Sequence, residues 1–117
     1  MSDSILREKA FKFAVRIVKL YKHFVEVKHE FTLTKQIYRS GTSIGANIEE
    51  ATQPESRSDF IHKLSIANKD AFETHYWLRL FKESDVLTPA EVESLLKDCE
   101  ELLRILTASI KTAKNNA

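Results

Sequence analysis

The chain is poor in the residues that turn or cross-link a polypeptide. Its 117 residues include two glycines, two prolines and one cysteine. An all-β fold needs many tight turns, which glycine and proline usually supply, so this composition argues against one. A single cysteine excludes an internal disulfide and is typical of a reducing compartment. Because Cys99 lies on the apolar seam of the last predicted helix, we expect a buried and inert thiol.

Long apolar runs are also missing. No stretch approaches the ~20 consecutive apolar residues that a membrane-spanning helix requires. Asp3, Arg7, Glu8 and Lys9 interrupt the segment in which a signal peptide would lie. We therefore expect a cytoplasmic protein. Charged residues make up 30% of the chain and apolar residues 43%, which predicts one soluble helical domain.

Helical periodicity dominates what is present. Apolar residues recur at spacings of three and four in four segments, which predicts helices over about 4–28, 33–52, 57–83 and 89–114. Ser56 with Asp59, and Thr88 with Pro89 and Glu91, are typical helix starts. Four long helices joined by short breaks predict an all-α, antiparallel up-down four-helix bundle. The seam predicted for the first helix consists of Leu6, Ala10, Phe13, Ile17, Leu20, Phe24 and Val27.

The predicted helices carry more apolar surface than one core needs. The first helix has a second apolar stripe beside its seam, and the third is apolar around much of its second half. If Phe11, Val18, Tyr21 and Trp77 stayed exposed, they would form a larger patch than monomers usually show. We therefore expect a homo-oligomer that buries them. The alternative is an irregular bundle that buries both stripes internally.

Basic residues form a stripe along the first helix. Residues 1–30 hold seven basic and four acidic residues, although the net charge of the whole chain is only +1. A basic stripe can follow a phosphate backbone, and a ring of subunits would repeat it. The alternative is an ordinary solvated helix face. The nucleic-acid-binding candidates are Lys9, Lys12, Arg16, Lys19 and Lys22.

The segment from Arg39 to Ala51 has an unusual composition for a helix. It contains Gly41 and Gly45, each of which costs about 1 kcal/mol relative to alanine. This predicts close approach of another helix, another subunit or a ligand. Polar residues near the seams predict a hydrogen-bonding network that fixes helix register, since unpaired buried charges are costly. The residues predicted for this structural network are Asn47, Glu50, Glu73 and His75, with Arg39 as their ionic partner.

Patterns for catalysis or metal binding are weak. Arg57 and His62 have the spacing found in some helical-bundle ribonucleases, where an imidazole assists the attacking hydroxyl. Glu26 with His29, and Asp59 with His62, have the spacing of di-iron bundles, but neither pair lies on an apolar seam. We expect no enzymatic activity, no metal and no cofactor. A ribonuclease that uses Arg57 and His62 is kept as an alternative.

Several stretches resemble one known family. They are Arg39-x3-Ser43-Ile44-x2-Asn47-Ile48-x-Glu50, Asp59-Phe60-Ile61 and Leu64-x-Ile66-Ala67, followed by Glu73 and Leu78. This pattern is similar to that of the four-helix-bundle proteins encoded within intervening sequences of bacterial large-subunit ribosomal RNA genes. The family often has proline at the position of Gly45 and glycine at that of Ala51, where this chain departs. The resemblance implies structural or subunit-contact roles for the matching residues Ser43, Asn47, Glu50 and Glu73.

The resemblance implies a cytoplasmic bacterial protein that forms a homopentameric ring around a central channel. It extends to the accessory protein of diversity-generating retroelements, a basic pentamer that binds nucleic acid and a reverse transcriptase. By that similarity, RNA or DNA is an expected partner of this chain. A protein-binding scaffold without a nucleic-acid role is the alternative.

Overall fold

Four α-helices account for most of the chain. They are α1 (Ser2–His23), α2 (Thr32–Ala51), α3 (Arg57–Glu83) and α4 (Pro89–Asn115). The computed structural model describes residues 2–29 and 31–116, and within them no residue belongs to a β-strand. The predictions of an all-α chain and of four helices are confirmed. None of these helices is both long enough and apolar enough to span a membrane.

The first helix changes its winding after His23. Residues Phe24–Lys28 form a π-helical turn that ends at His29, whose backbone is left-handed with φ 54°. Phe24 stays buried against Phe81, with ring centroids 5.5 Å apart, whereas Val27 is 61% exposed. The prediction that Val27 faces inward is wrong, because a π-helical turn advances fewer degrees per residue than an α-helix. A spacing of three therefore no longer returns to the same face.

The starts of α3 and α4 follow the predicted capping patterns. The Ser56 hydroxyl accepts a hydrogen bond from the backbone N–H of Asp59 at 3.0 Å. The Thr88 hydroxyl accepts one from the N–H of Glu91 at 3.4 Å, with Pro89 at the first helical position. Each cap satisfies an N–H that has no partner inside its helix, so both predicted starts are confirmed.

Neighbouring helices contact one another in a cyclic order. Both α1 and α3 pack against α2 and α4. The Sγ of Cys99 donates to the carbonyl of Ala71 at 3.3 Å, while Lys82, later in α3, pairs with Glu93, earlier in α4. Residue numbers thus rise along α3 as they fall along α4. The molecule measures 47 × 21 × 20 Å, so each helix presents a long outer face.

The core lies along the apolar seams, with one difference on α4. The spacing there predicts an inward seam of Val92, Leu96, Cys99, Leu103, Leu106, Ile110 and Ala113. Leu95 and Leu102 are buried there, and Leu103 is only partly buried. The residues that the four helices bury most completely include Leu6, Phe13, Ile17, Ile37, Ile44, Leu64, Leu78, Phe81, Val92 and Leu106. Hydrophobic burial of these side chains is the main force that holds the helices together.

The two glycines of α2 face α1 at different distances. A Cβ placed on Gly41 would lie 2.9 Å from Cγ1 of Ile17, whereas a Cβ on Gly45 would lie 3.4 Å from the carbonyl oxygen of Ala10. Ile17 is fully buried, and a β-branched side chain has little freedom about χ1. The close approach predicted for this segment is therefore made by α1, and it depends on Gly41 more than on Gly45.

These distances predict opposite effects for two matched substitutions. Gly41→Ala should lower the free energy of unfolding by about 1–2 kcal/mol, because overpacking against Ile17 exceeds the gain in helix propensity. Gly45→Ala should raise it by up to about 1 kcal/mol, because its Cβ meets only an ordinary contact. Urea unfolding at one fixed protein concentration measures both. A Gly41→Ala protein as stable as the parent would contradict the packing argument.

Candidate functional site

Two of the predicted nucleic-acid-binding residues join α1 to α4. The Nζ of Lys9 lies 3.2 Å from Oε1 of Glu101. Arg16 donates to Oδ2 of Asp98 at 2.6 Å and to Oγ of Ser94 at 3.0 Å. The positive charges of Lys9 and Arg16 are therefore compensated within the chain, where they bridge two helices.

The other three basic residues of the stripe differ among themselves. Lys12 donates to Glu8 at 2.9 Å, and this hydrogen bond lowers the pKa of the Glu8 carboxyl. Lys19 and Lys22 are exposed, and no carboxylate in the described part of the chain lies within 4 Å of either ammonium. Among the residues that the structure describes, two of the five predicted residues, Lys19 and Lys22, are thus cations without a carboxylate partner.

An apolar surface follows the junction of α1 and α2. Phe11 is 66% exposed, and Val18 and Tyr38 are exposed as well. Tyr21 is half-buried and stacks on Tyr38, with ring centroids 4.4 Å apart. We call Phe11, Val18, Tyr21, Tyr38 and Ala46 the α1–α2 strip. Its large side chains are unpartnered on their outer side.

A shallow groove opens beside Phe11. It has a volume of about 230 Å³, and Ala14, Gly45 and Ala46 form much of its lining. The small residues of α2 make this groove concave because they bring no bulky side chain to the junction. Phe11 therefore stands at the edge of a depression that an apolar side chain from another molecule can enter.

Trp77 lies away from this strip. Its indole N–H donates to Oε2 of Glu73 at 3.0 Å, and the same carboxylate accepts a 2.6 Å hydrogen bond from Arg39. Trp77 is half-buried and packs on the core. The structure therefore separates Trp77 from Phe11, Val18 and Tyr21, which were predicted with it as one exposed patch.

The polar residues of α2 meet a carboxylate that the sequence reasoning missed. The Ser43 hydroxyl donates to Oδ2 of Asp70 at 2.7 Å, and Nδ2 of Asn47 lies 3.3 Å from the same oxygen. Deeper in the molecule, the Thr74 hydroxyl donates to Oγ of Ser40 at 2.9 Å. Asp70 directly precedes the buried residue Ala71. Its place beside the apolar seam of α3 is the sequence feature that could have predicted its contact with α2.

A second cross-helix ion pair follows farther along the same junction. Lys63 donates to Glu50 at 2.7 Å, and this hydrogen bond raises the pKa of the Lys63 ammonium. Exposed ion pairs contribute little to stability. Glu50 and Glu73, like Ser43 and Asn47, make side-chain contacts between α2 and α3.

Arg57 and His62 do not converge on one site. Arg57 donates to the carbonyl oxygen of Ala113 near the end of α4, at 3.1 Å. His62 is exposed, and five residues along a helix place it roughly 140° around the axis from Arg57. Among the residues that the structure describes, no three His, Cys, Asp or Glu side chains are grouped to hold a metal ion.

A larger groove between α3 and α4 carries both signs of charge. It has a volume of about 830 Å³ and includes Arg79 and Lys97. His75 and Glu100 lie 3.0 Å apart within it. Because the groove is lined by three acidic side chains, Glu83, Glu93 and Glu100, as well as by basic ones, its charge selects neither an anion nor a cation.

Comparison with protein families decides the classification. The family model of the 23S rRNA-intervening sequence protein matches residues 2–108. The chain belongs to this family. It is also similar to a crystal structure from Bacteroides thetaiotaomicron VPI-5482, described as a protein of unknown function from the S23 ribosomal protein family. The two are 50% identical with a TM-score of 0.92, over 95% of this chain and 99% of the other.

The resemblance drawn from the sequence is thus confirmed at the level of family. No curated protein matches the chain significantly. Since the similar structure is itself of unknown function, the likeness establishes family and fold without an activity.

Cys99 provides a test of how tightly the centre is packed. Burial raises the pKa of its thiol from 9.0 to about 12. As pH rises, the unfolded chain therefore loses its proton before the folded chain does. We expect the thiol's contribution to stability to be intact below about pH 9 and to be lost by up to about 1.4 kcal/mol per pH unit between pH 9 and 12.

The measurement is urea unfolding of the parent and of Cys99→Ala at several pH values. The difference between the two proteins isolates the thiol from the lysines and tyrosines that titrate in the same range. The folded parent should also react with a thiol reagent far more slowly than the urea-unfolded chain. Equal pH dependence of the two proteins would show that the thiol is not desolvated.

Proposed function

We propose that this chain is a non-enzymatic, antiparallel up-down four-helix bundle that acts in the bacterial cytoplasm as a homo-oligomer. The family resemblance suggests a pentameric ring. The observation that carries the proposal is the α1–α2 strip, because it leaves Phe11 66% exposed beside a groove. The contacts of Cys99 with Ala71 and of Lys82 with Glu93 support an antiparallel arrangement, because residue numbers rise along α3 as they fall along α4.

Burial of the strip favours association of identical copies. Removing one large apolar side chain from water contributes about 1.5–3 kcal/mol. Phe11, Val18 and Tyr38 lie along one junction, so a single contact can bury all three. Closed homo-oligomers are the usual way in which soluble proteins cover such surfaces.

RNA or DNA is the partner that we propose for the assembly. On α1, Lys19 and Lys22 are the residues that support this, because their charges are not compensated by carboxylates in the described part of the chain. Lys9, Lys12 and Arg16 would first have to leave Glu101, Glu8 and Asp98. A ring repeats the unpaired lysines on every subunit, which strengthens a weak local potential.

A protein-binding scaffold without a nucleic-acid role is the second candidate. The net charge of +1 favours it, and so does the internal pairing of Lys9, Lys12 and Arg16. In that case the assembled copies would present a surface to another protein. Absence of measurable RNA and DNA binding by the assembled parent protein would decide for the scaffold.

Removing the apolar strip should dissociate the assembly. The double substitution Phe11→Ser with Val18→Ser should reduce the mass from a multiple of the chain to 13.5 kDa, because the contact loses its apolar surface. Multi-angle light scattering at micromolar concentration measures this. Phe72→Ser on α3 is the matched control, since Phe72 is 59% exposed, and it should keep the parent mass. A parent protein that runs as a single copy overturns the proposal.

The unpaired lysines of α1 predict a specific salt dependence. With duplex DNA, Lys19→Gln combined with Lys22→Gln should lower the magnitude of the slope of log affinity against log salt by about 1.8 per subunit in contact. Glu8→Gln with Lys12→Gln removes an existing ion pair and should leave the slope unchanged. Fluorescence anisotropy titrations at several salt concentrations measure both. Equal slopes for the parent and the Lys19/Lys22 variant would show that these two lysines of α1 do not contact DNA phosphates.

A further inference from the structure

The outer face of α3 combines aromatic and basic side chains in one row. Lys69, Phe72, Tyr76 and Arg79 follow one another at spacings of three, four and three, which places them on one face of the helix. All four are exposed, and Phe72 and Tyr76 keep 59% and 48% of their surface open. We call them the α3 stripe. Its first and last residues are ten positions apart, or about 15 Å along the helix axis.

Neither cation of the stripe is ion-paired within the described residues, although Arg79 lines the α3–α4 groove together with Glu83, Glu93 and Glu100. Over residues 4–29 and 31–116, no carboxylate lies within 4 Å of the basic nitrogens of Lys69 or Arg79. Glu73, one turn from Lys69, is already engaged by Arg39 and Trp77. This distinguishes the α3 stripe from α1, where Lys9, Lys12 and Arg16 are paired.

The ring of Tyr76 is supported from its own helix. It lies edge-to-face with Trp77, with ring centroids 5.2 Å apart, and Trp77 is itself held by its hydrogen bond to Glu73. The guanidinium of Arg79 lies 5.8 Å from the Tyr76 centroid, within the range of a cation–π contact. A supported ring with an adjacent guanidinium is preorganised for a flat ligand.

We propose that the α3 stripe binds single-stranded RNA or DNA. Bases stack on Phe72 and Tyr76, whose positions on the helix are about 6 Å apart along its axis, and Lys69 and Arg79 contact phosphates on either side. Stacking on aromatic rings together with a cationic path for the backbone is the general chemistry of single-strand binding. A duplex is a poorer ligand, because the faces of its bases are covered by neighbouring base pairs.

A second copy of the chain fits this surface less well. Two rings between two cations form a narrow row, whereas a stable protein interface covers about 800 Å² on each partner. The carboxylates that border the α1–α2 strip are already occupied, since Glu49 pairs with Arg7 and Glu8 with Lys12. That strip therefore offers no free negative charge to Lys69 or Arg79.

The inference does not rest on the proposed assembly or on the lysines of α1. The stripe belongs to α3, and a single chain already contains all of it. Assembly through the α1–α2 strip would repeat the stripe on each subunit. Variants on α3 test the present inference and variants on α1 test the earlier proposal, so a failure of one can be distinguished from a failure of the other.

The experiment titrates the full-length protein into fluorescently labelled oligothymidylate and oligouridylate of about 16 nucleotides, and into a duplex of equal length. Phe72→Leu with Tyr76→Leu keeps apolar bulk but removes the rings, and it should weaken single-strand binding at least about tenfold. Light scattering should give this variant the parent mass. Because Trp77 is the only tryptophan and touches Tyr76, its fluorescence should change when a strand binds the parent.

Charge variants locate the phosphate contacts. Lys69→Gln with Arg79→Gln should lower the magnitude of the salt slope for single strands by about 1.4. Lys19→Gln with Lys22→Gln, which removes the same charge from α1, should leave single-strand affinity within about twofold of the parent at ~200 mM salt.

Three results would overturn the inference. The first is that the parent binds neither single strand, or binds them no more tightly than the duplex. The second is that the leucine variant binds as well as the parent. The third is that the leucine variant loses the parent mass, which would make Phe72 and Tyr76 part of a contact between copies.

Discussion

The close contact of α1 with α2 at Gly41 determines how the rest of the surface is arranged. Ile17 fills the space that a side chain at position 41 would need, so the two helices approach with little between them. The same geometry brings Ala10 to Gly45 and stacks Tyr21 on Tyr38. Ala10 and Ile17 occupy the inner positions of α1 at this junction, so Phe11 and Val18, each one residue farther along the helix, lie at its outer edge. The exposed strip thus borders the contact that Gly41 makes possible.

The packing of the helices also decides which basic side chains are paired with carboxylates. The helices α1 and α4 meet through Lys9 with Glu101 and Arg16 with Asp98, so two of the five residues in the basic stripe connect helices. A stripe of one sign on a helix indicates a ligand only when the neighbouring helix does not supply the opposite sign. Lys69 and Arg79 on α3 form no ion pair within the described residues, although Arg79 shares its groove with Glu93 and Glu100 of α4.

The seams and helix limits could be predicted because they depend on spacing within one helix. Val27 was placed wrongly because a π-helical turn changes that spacing, and nothing in the composition of Phe24–Lys28 marks such a turn. The pairing of Lys12 with Glu8 was readable from a separation of four residues. The partners of Lys9 and Ser43 were not, because they depend on how two helices are rotated about their axes.

The aromatic half of α3 shows how the fold separates roles that the sequence presents together. Residues 72–81 are apolar or aromatic nearly all round; heptad spacing places Leu78 and Phe81 on the core seam, but it does not separate the roles of the aromatic residues off that seam. In the structure Leu78 and Phe81 fill the core, Trp77 is fixed on the α2 side by Glu73, and Phe72 and Tyr76 are left facing solvent. Apolar surface on α1 and aromatic surface on α3 consequently belong to different sides of the molecule. A surface used for assembly and a surface used for a ligand can therefore coexist on one chain without competing for the same residues.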